Sequence, residues 1–339
     1  MAETQSGPGW SEAQWELIAT TVTQAFEKAN VAGKFLPCYG PLPERDDYVR
    51  DETVKTSGNE VIVTDDRTLR LFTLAVKVPL SREQVRDESL SSVLLAFRRA
   101  AIVLAQVEDN LVFNGFAYVS ARDGSPGRKQ AGPQGPAAPG LSAETVAAVV
   151  TSWPSELTGL VRKPADPPGY TSNAPVSNKE QQTRGQELIR AVSTAIGALE
   201  RRGHPGPFAC ILGNTRFDAA HTPNEDFMVL PADRIKPLLR GPLLRSGQID
   251  GDAGIVVSLS GNTIDLVVAT PPRAQFLQTT PDAKHVFRVY EKFTMRIKDS
   301  GAIEPLDLVV ERNVHNSPPK KLRGRTAAPR GARKSAKRR

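Results

Sequence analysis

A single long helical pattern sets the scale of this chain. Between about Glu88 and Leu111, apolar residues recur at the spacing of an amphipathic helix, which predicts about six helical turns. At about 1.5 Å per residue, such a helix is roughly 35 Å long and crosses a whole domain. The pattern closes in residues 107–115, Val-Glu-Asp-Asn-Leu-Val-Phe-Asn-Gly, in which Gly115 is the expected stop.

The clearest strand pattern lies in residues 286–298. Apolar and basic residues alternate there, which is typical of a strand with one buried and one exposed face. Glu291 is the lone polar residue on the apolar side. The apolar positions are Phe287, Val289, Phe293, Met295 and Ile297, and the basic positions are Arg288, Lys292, Arg296 and Lys298.

A further helix is predicted near the N-terminus. Ser11 and Gln14 have the spacing of a capping box, in which each side chain satisfies a free amide at the helix start. Gly33 is the expected end, because glycine tolerates a left-handed cap. The apolar face between them either packs on the core of the chain or faces a partner. The helical spacing of its residues is the same in both cases and does not distinguish them. Its residues are Trp15, Ile18, Val22, Phe26 and Ala29.

The remaining pattern alternates between strands, helices and breaks. Residues 61–63 and 69–78 read as two extended runs joined by the polar turn Asp65-Asp66-Arg67. Residues 121–140 and 163–177 are so rich in proline and glycine that we expect mobile loops. The other predicted elements are two short helices in 142–162, a helix over 179–202, a strand at 208–212, a helix around 231–240, and strands at 254–259 and 263–269 joined by the hairpin signal Gly261-Asn262.

Charge is distributed very unevenly along the 339 residues. The net charge is +7, yet the segment 320–339 holds ten basic residues and no acidic one, and the rest has 34 basic against 37 acidic residues. We therefore expect an acidic body and a detachable basic tail. The basic residues of the tail are Lys320, Lys321, Arg323, Arg325, Arg330, Arg333, Lys334, Lys337, Arg338 and Arg339.

The sequence offers little support for an enzyme. The four histidines are scattered, and no nucleophile elbow, paired-cysteine motif or phosphate-binding loop is present, so we expect no cofactor and no metal. Glu108 and Asp109 are adjacent and would point about 100° apart on a helix, so we interpret them as helix-end charges that pair with basic residues. No signal peptide or membrane-spanning run is recognisable, and Cys38 and Cys210 are far apart, so a reducing cytoplasm is the expected compartment.

Three sequence islands, at residues 33–42, 107–115 and 203–212, resemble the encapsulins in their order and spacing. The strand motif Phe-Arg-Val-x-Glu-x-Phe-Thr-x-Arg at 287–296 matches the same family. This resemblance implies an α+β, tailed-phage major-capsid-like fold with a peripheral domain, an axial domain and an extended loop. The implied segments are a flexible N-terminus (1–9), the N-terminal helix and arm (10–50), the extended loop (51–80), the spine helix (81–120), an insertion (121–180), the axial domain (181–260), peripheral strands (261–312) and the basic tail (313–339).

The resemblance further implies a shell protein without enzymatic activity, of which roughly 60 copies or a multiple close an icosahedral nanocompartment. The family encloses peroxidases or ferritin-like proteins, which carry a C-terminal targeting peptide. Gly33 and Pro37 replace the polar residues usual in the family's turn, which would weaken binding of that peptide. The cargo groove would be lined by Ile18, Val22, Phe26, Phe35, Phe276 and Leu277.

Two further roles are hypotheses. By family correspondence, the loop with His221, Asn224, Glu225 and Asp226 would line a fivefold pore that favours small cations, although an ordinary solvated loop explains it equally. The tail would attract nucleic acid or an anionic membrane, or serve only solubility. The rival functions are a phage-type major capsid protein that packages nucleic acid, and an oligomer that binds nucleic acid through its tail.

Overall fold

The computed structural model describes residues 9–57, 59–120, 145, 148–151, 157, 159–161, 178–223 and 229–306. The helices named below are α1 (Glu12–Ala29), α2 (Arg82–Arg86), α3 (Ser91–Ser120), α4 (Asn178–Arg201), α5 (Asn214–Ala220) and α6 (Pro231–Leu239). The strands are β1 (Cys38–Tyr39), β2 (Tyr48–Ser57), β3 (Glu60–Arg70), β4 (Phe72–Leu80), β5 (Phe208–Leu212), β6 (Leu243–Arg245), β7 (Gly254–Ser258), β8 (Ile264–Thr279), β9 (His285–Ile297) and β10 (Ile303–Pro305). Within this described part, no helix has the length and apolar character needed to cross a membrane.

The first sheet has the strand order β1-β8-β9-β4, and α1 and α3 pack on each other and against it. An aromatic cluster joins these elements. The Phe287 ring of β9 stacks on Trp10 with 4.9 Å between centroids and meets Phe97 of α3 edge-on at 5.5 Å. Phe97 and Phe287 are completely buried, and removing such a ring costs about 3–5 kcal/mol. The apolar positions of β9 face this core, as predicted. The expected exposed face is wrong, because Arg288 and Lys292 are half-buried and Arg296 is buried.

The second sheet has the order β10-β7-β5-β6, and its central strands are buried on both faces. Phe208, Cys210 and Leu212 of β5 pack with apolar residues of α4 and α6. Ala209 and Ile211, on the opposite face of the same strand, join the core that surrounds α3. Because both faces of β5 are buried, its sequence is an uninterrupted apolar run.

A two-stranded antiparallel ribbon, formed by β2 and β3, belongs to neither sheet. Its register runs from Tyr48 opposite Arg70 to Ser57 opposite Glu60. Most side chains of β3 are exposed, including the apolar residues Val61, Ile62 and Val63, which are 68%, 46% and 61% exposed. The predicted turn at Asp65-Asp66-Arg67 is wrong, since these residues continue β3. A ribbon without a buried face shows no alternation from which its length could be read.

Some ends of the predicted helices are set by neighbouring residues, and others are set by residues far away in the sequence. The capping box of Ser11 and Gln14 is confirmed. The stop expected at Gly115 is a break, where φ is 70°, and helical structure resumes after it and runs to Ser120. The stop predicted at Gly33 is wrong, because α1 ends at Ala29, Asn30 is extended, and Gly33 lies in a short 3-10 turn. The N–H groups that follow this helix end donate to a side chain of α3, described below.

The hairpin predicted at Gly261-Asn262 is wrong as well. Both residues have positive φ, 80° and 49°, as expected for a turn. The strands on either side, β7 and β8, nevertheless belong to different sheets. Gly261 and Asn262 set the turn, whereas the strands that pair with β7 and β8 lie far away in the sequence. The predicted helices at 179–202 and 231–240 and the strand at 208–212 are confirmed. The predicted loops at 121–140 and 163–177, and most of segment 142–162, lie outside the described residues.

Candidate functional site

Three of the motifs that the sequence sets apart meet at one buried place. The C-terminal half of α3, the turn after α1 and the middle of β9 each contribute polar side chains. We call this place the polar junction. It consists of Asn30, Glu108, Asp109, Asn110, Asn114, Gln248 and Glu291.

Asp109 caps the N-terminal turn. Its Oδ1 accepts the backbone N–H groups of Val31 at 3.0 Å and Ala32 at 2.8 Å, and its Oδ2 accepts that of Val31 at 2.9 Å. Burial raises the pKa of Asp109, and the N–H donors oppose that shift because they favour the charged carboxylate. In a continued helix these two N–H groups would donate to carbonyls four residues earlier, and they donate to Asp109 instead, so α1 ends before them.

Glu108 and Glu291 are two buried acids that act on each other electrostatically, and within the described part of the chain Glu291 Oε1 has no hydrogen-bond partner. They are 5% and 2% exposed. Burial raises the pKa of Glu108 to about 7, and burial together with the charge of Glu108 raises that of Glu291 well above its ordinary value. Both shifts have the same main cause, because burial penalises the charged form of a carboxyl.

The interpretation of Glu108 and Asp109 as helix-end charges paired with basic residues is therefore wrong. They lie inside α3 and face backbone amides and another acid. A signal was present: Glu108 lies four residues after Leu104 and three before Leu111, on the apolar face of the helix. Glu291 likewise occupies the apolar side of β9. A polar residue on each buried face is the pattern expected of a buried polar pair.

The polar junction also reaches the second sheet. Asn110 Nδ2 donates to Gln248 Oε1 at 3.3 Å, and Asn114 Nδ2 donates to the Gln248 carbonyl at 2.7 Å. Gln248 lies between β6 and β7. The end of α3 is thus hydrogen-bonded to the N-terminal turn and to the loop of the second sheet.

The base of the ribbon is held to the first sheet by ionic contacts. Lys292 Nζ lies 2.7 Å from Asp47 Oδ1, and Arg273 pairs with Glu44. Arg296 of β9 is bidentate to the buried Asp265 of β8 at 2.8 and 2.7 Å, and it also donates to the Arg50 carbonyl of β2 at 3.3 Å. These contacts, together with the 2.8 Å backbone bond from Val54 N–H to the Lys298 carbonyl, fix the direction in which the ribbon leaves the sheet.

The three histidines within the described residues form ordinary structural contacts. His204 Nε2 lies 3.5 Å from Asp299 Oδ2, and His221 Nδ1 lies 2.8 Å from the Phe217 carbonyl. His285 Nδ1 lies 3.0 Å from Thr279 Oγ1. Within the ranges that the structure describes, no group of three His, Cys, Asp or Glu residues has the arrangement of a metal site.

The cargo groove expected from the family resemblance needs correction. Ile18 and Val22 are 0% exposed, and Phe26 and Phe35 are 9% and 7% exposed. Their side chains pack in the core formed by α1, α3 and the first sheet, so they are not available to line an open groove. Phe276 is half-buried and Leu277 is 40% exposed. These two residues of β8 remain candidates for contact with a partner.

The other predicted site residues are placed only in part. His221 is exposed at the C-terminal end of α5, where its ring centroid lies 4.3 Å from that of Phe217 and the two rings are tilted by 31°. Asn224, Glu225 and Asp226 lie outside the described residues, as does the whole basic tail. The pore and the tail therefore stay predictions from the sequence.

Comparison with known proteins agrees with this architecture. The profile of the Linocin_M18 family, described as an encapsulating protein for peroxidase, matches residues 6–149 and 163–294. The chain is 26% identical over 311 residues to the type 1 encapsulin shell protein EncA of Myxococcus xanthus (strain DK1622), covering 87% of this chain and 93% of that protein. It is 23% identical over 311 residues to a diheme-cytochrome-encapsulin shell fusion protein of Kuenenia stuttgartiensis, covering 86% and 72%.

Solved structures show the same fold. A virus-like particle from Pyrococcus furiosus matches with a TM-score of 0.57 and 16% identity, over 87% of this chain and 99% of that one. The capsid of Myoviridae phage XM1 matches with a TM-score of 0.50 and 10% identity, over 82% and 91%. The α+β, phage-capsid-like fold expected from the sequence is thereby confirmed.

Proposed function

The chain belongs to the Linocin_M18 family of encapsulating proteins, and from this membership we propose that it is a shell subunit. Identical copies, roughly 60 or a multiple of that number, close a hollow icosahedral nanocompartment. The exposed apolar tip of the ribbon is the observation in this chain that carries the proposal.

Val61, Ile62 and Val63 are consecutive, so they point to alternate faces of the ribbon, and both faces present apolar surface. An isolated two-stranded ribbon is only marginally stable in water and gains most from being covered. The eleven residues of β3 span roughly 35 Å, which is enough to cross a neighbouring subunit. A second copy is the partner that covers it in this proposal.

The ionic contacts at the base of the ribbon support the same reading. Repeated contacts close a shell only if each subunit presents its contact segments at a reproducible angle. Glu44 and Asp47 tie the arm before the ribbon to β8 and β9, and Arg296 of β9 donates to the Arg50 carbonyl of β2. The ribbon tip is apolar and exposed, whereas its base is polar and anchored.

The compartment is proposed to enclose a peroxidase or ferritin-like protein in the cytoplasm, held by a C-terminal targeting peptide. The family description supports a peroxidase. Phe276 and Leu277 are the predicted groove residues with surface available for such a peptide. In this proposal the shell subunit is structural and the enzymatic chemistry belongs to the cargo.

Two finer roles rest on the sequence alone. The loop with His221, Asn224, Glu225 and Asp226 is proposed to admit small cations, and neutralising both acids should then reduce cation uptake into assembled shells. The basic tail is proposed to bind nucleic acid or anionic membrane on the outer surface. Shells that take up cations equally after neutralisation would contradict the first role.

Light scattering coupled to size exclusion tests the shell directly. The subunit mass is 36.7 kDa, so a particle of about 60 copies has a mass of roughly 2.2 MDa. The absorbance ratio of the same peak separates protein cargo from the packaged nucleic acid that a phage-type capsid protein would hold. Monomers or dimers in every buffer would refute the proposed function.

A further inference from the structure

An open cavity lies where the base of the ribbon meets one end of the first sheet. Its volume is about 310 Å³, which is at the lower end of the range for sites that bind small molecules. One wall is formed by residues of β1, β8 and β9 and by the residue that follows β9, and the other wall is formed by Glu52 of β2. We call this space the ribbon-base cavity. The contacts proposed between copies of the chain involve the ribbon tip and not its base.

The wall on the sheet side carries an excess of positive charge. Asp265 is buried and accepts from Arg296 at 2.8 and 2.7 Å and from Lys298 Nζ at 2.9 Å. One carboxylate cannot neutralise two cations, so these three residues together carry one unit of positive charge. Lys298 is the more accessible cation, since its side chain is 20% exposed and that of Arg296 is 5% exposed. An ammonium has three N–H donors, so Lys298 can donate to a ligand in addition to Asp265.

The wall on the ribbon side carries a negative charge. The register of the ribbon shifts between Asp51 and Thr53, so Glu52 alone is opposite two residues of β3. A bulge of this kind re-aims a side chain, and Glu52 lines the cavity. Among the residues that the structure describes, none is hydrogen-bonded or ion-paired to the Glu52 carboxylate. It is therefore able to accept hydrogen bonds from a ligand.

An aromatic ring and an amide complete the cavity. Tyr39 of β1 lines it and is 50% exposed, although the Arg296 guanidinium lies over its ring with 4.7 Å between Cζ and the ring centroid. Asn262, in the turn before β8, adds an amide that can both donate and accept. The two cations and the two carboxylates that line the cavity balance, so it offers opposite charges on its two walls and no net charge.

This distribution of charge favours one class of ligand. A divalent cation would be repelled by Arg296 and Lys298. A polyanion such as a nucleotide would be repelled by Glu52. A small zwitterion suits both walls, because its anionic group can accept from Lys298 and its ammonium can donate to Glu52, and hydrogen bonds between ionised groups are the strong ones.

We propose that the ribbon-base cavity binds a free α-amino acid, with its carboxylate on Lys298, its ammonium on Glu52 and its side chain against the Tyr39 ring. Such a ligand joins the ribbon to the first sheet across the cavity. The site belongs to the single subunit, so it is independent of the proposed shell function.

Leucine is the probe, because its apolar side chain can pack on Tyr39 and two analogues each lack one of its charged groups. Isocaproate lacks the ammonium, and isoamylamine lacks the carboxylate. Binding to the full-length protein at neutral pH is measured by titration calorimetry and by saturation-transfer NMR. A hydrogen bond between charged groups contributes about a factor of ten or more in affinity, so leucine should bind at least about tenfold more tightly than either analogue.

Glu52→Gln and Lys298→Gln are the test variants, because each removes one charge that the ligand would meet. Each should weaken leucine binding at least about tenfold. Glu60→Gln and Lys284→Gln, at exposed positions that do not line the cavity, are the matched controls and should bind leucine like the wild type. Circular dichroism confirms that each variant is folded.

Weaker leucine binding in both test variants and unchanged binding in both controls would support the site. Equal binding of leucine and either analogue would overturn the proposal, because it would show a site for a single charge only. No leucine binding by the wild type, or full binding by the test variants, would overturn it as well. The comparison of analogues needs no variant, so it decides the question even if Lys298→Gln fails to fold. A chain that never forms particles would refute the shell function and leave this binding test valid.

Discussion

The tip of the ribbon offers the most quantitative prediction of subunit contact. Replacing Val61 and Val63 by serine removes apolar surface from one face of β3, where these side chains are 68% and 61% exposed in the single subunit. Full burial of a valine contributes about 1.5–3 kcal/mol, so about two-thirds of that, roughly 1–2 kcal/mol per residue, is still available to a contact. Losing both costs roughly 2–4 kcal/mol per contact. Each 1.4 kcal/mol is a factor of ten, so the threshold concentration for assembly should rise at least tenfold.

Light scattering over a dilution series measures that threshold, with circular dichroism to confirm that the subunit stays folded. The control is Asp66→Ser with Thr68→Ser, which changes two exposed residues at the same spacing on the same strand without removing much apolar surface. We expect the control to assemble like the wild type. An unchanged threshold in the valine variant would refute the reasoning that the ribbon tip is buried between copies.

Three further predictions concern the end of α3 and the tail. Gly115→Ala should destabilise the fold by at least about 2 kcal/mol in denaturant titrations, because φ is 70° and an added Cβ would lie 2.5 Å from the Gly159 nitrogen. The control Gly197→Ala, in open space on α4, should be neutral or stabilising. Equal effects of the two substitutions on the free energy of unfolding would contradict this prediction. Asp109→Ala should lower the free energy of unfolding by about 1–3 kcal/mol, because it leaves the N–H groups of residues 31 and 32 without their acceptor. Hydrogen exchange at these two amides should become faster. Unchanged exchange there would contradict the capping role of Asp109. A chain truncated at Pro319 should lose most of its salt-sensitive binding to duplex DNA, and equal retention at low salt would exclude the tail as the binding segment.

The parts of the fold that the sequence predicts correctly are those set by near neighbours. Ser11 and Gln14 cap α1 within a single turn, and the break at Gly115 needs a backbone conformation that glycine adopts most easily. The alternation of β9 is readable because one of its faces lies on the core. Each of these features depends on residues only a few positions apart.

The errors in the fold arise where a distant residue decides a local one. The end of α1 is set by Asp109 of α3, so no stop signal near Gly33 could reveal it. The turn at Gly261 is real, but β7 and β8 pair with strands far away in the sequence. The ribbon shows no alternation because neither of its faces is buried within the subunit.

The sequence indicates only part of the candidate site. Glu108 and Glu291 each interrupt an apolar face, and that irregularity marks a buried polar group. Nothing in the spacing indicates that the two carboxyls act on each other. The groove assigned to Ile18 and Val22 failed for the converse reason, because an apolar helix face packed on its own core has the same periodicity as one that binds a peptide.

A reconstruction of the purified particle by cryo-electron microscopy tests the central claim most directly. We expect a closed hollow shell in which the ribbon of each subunit lies across a neighbour and Val61, Ile62 and Val63 are buried between the two copies. Small oligomers only, or a shell in which these side chains stay in solvent, would contradict the assignment of the ribbon as the contact that closes the compartment.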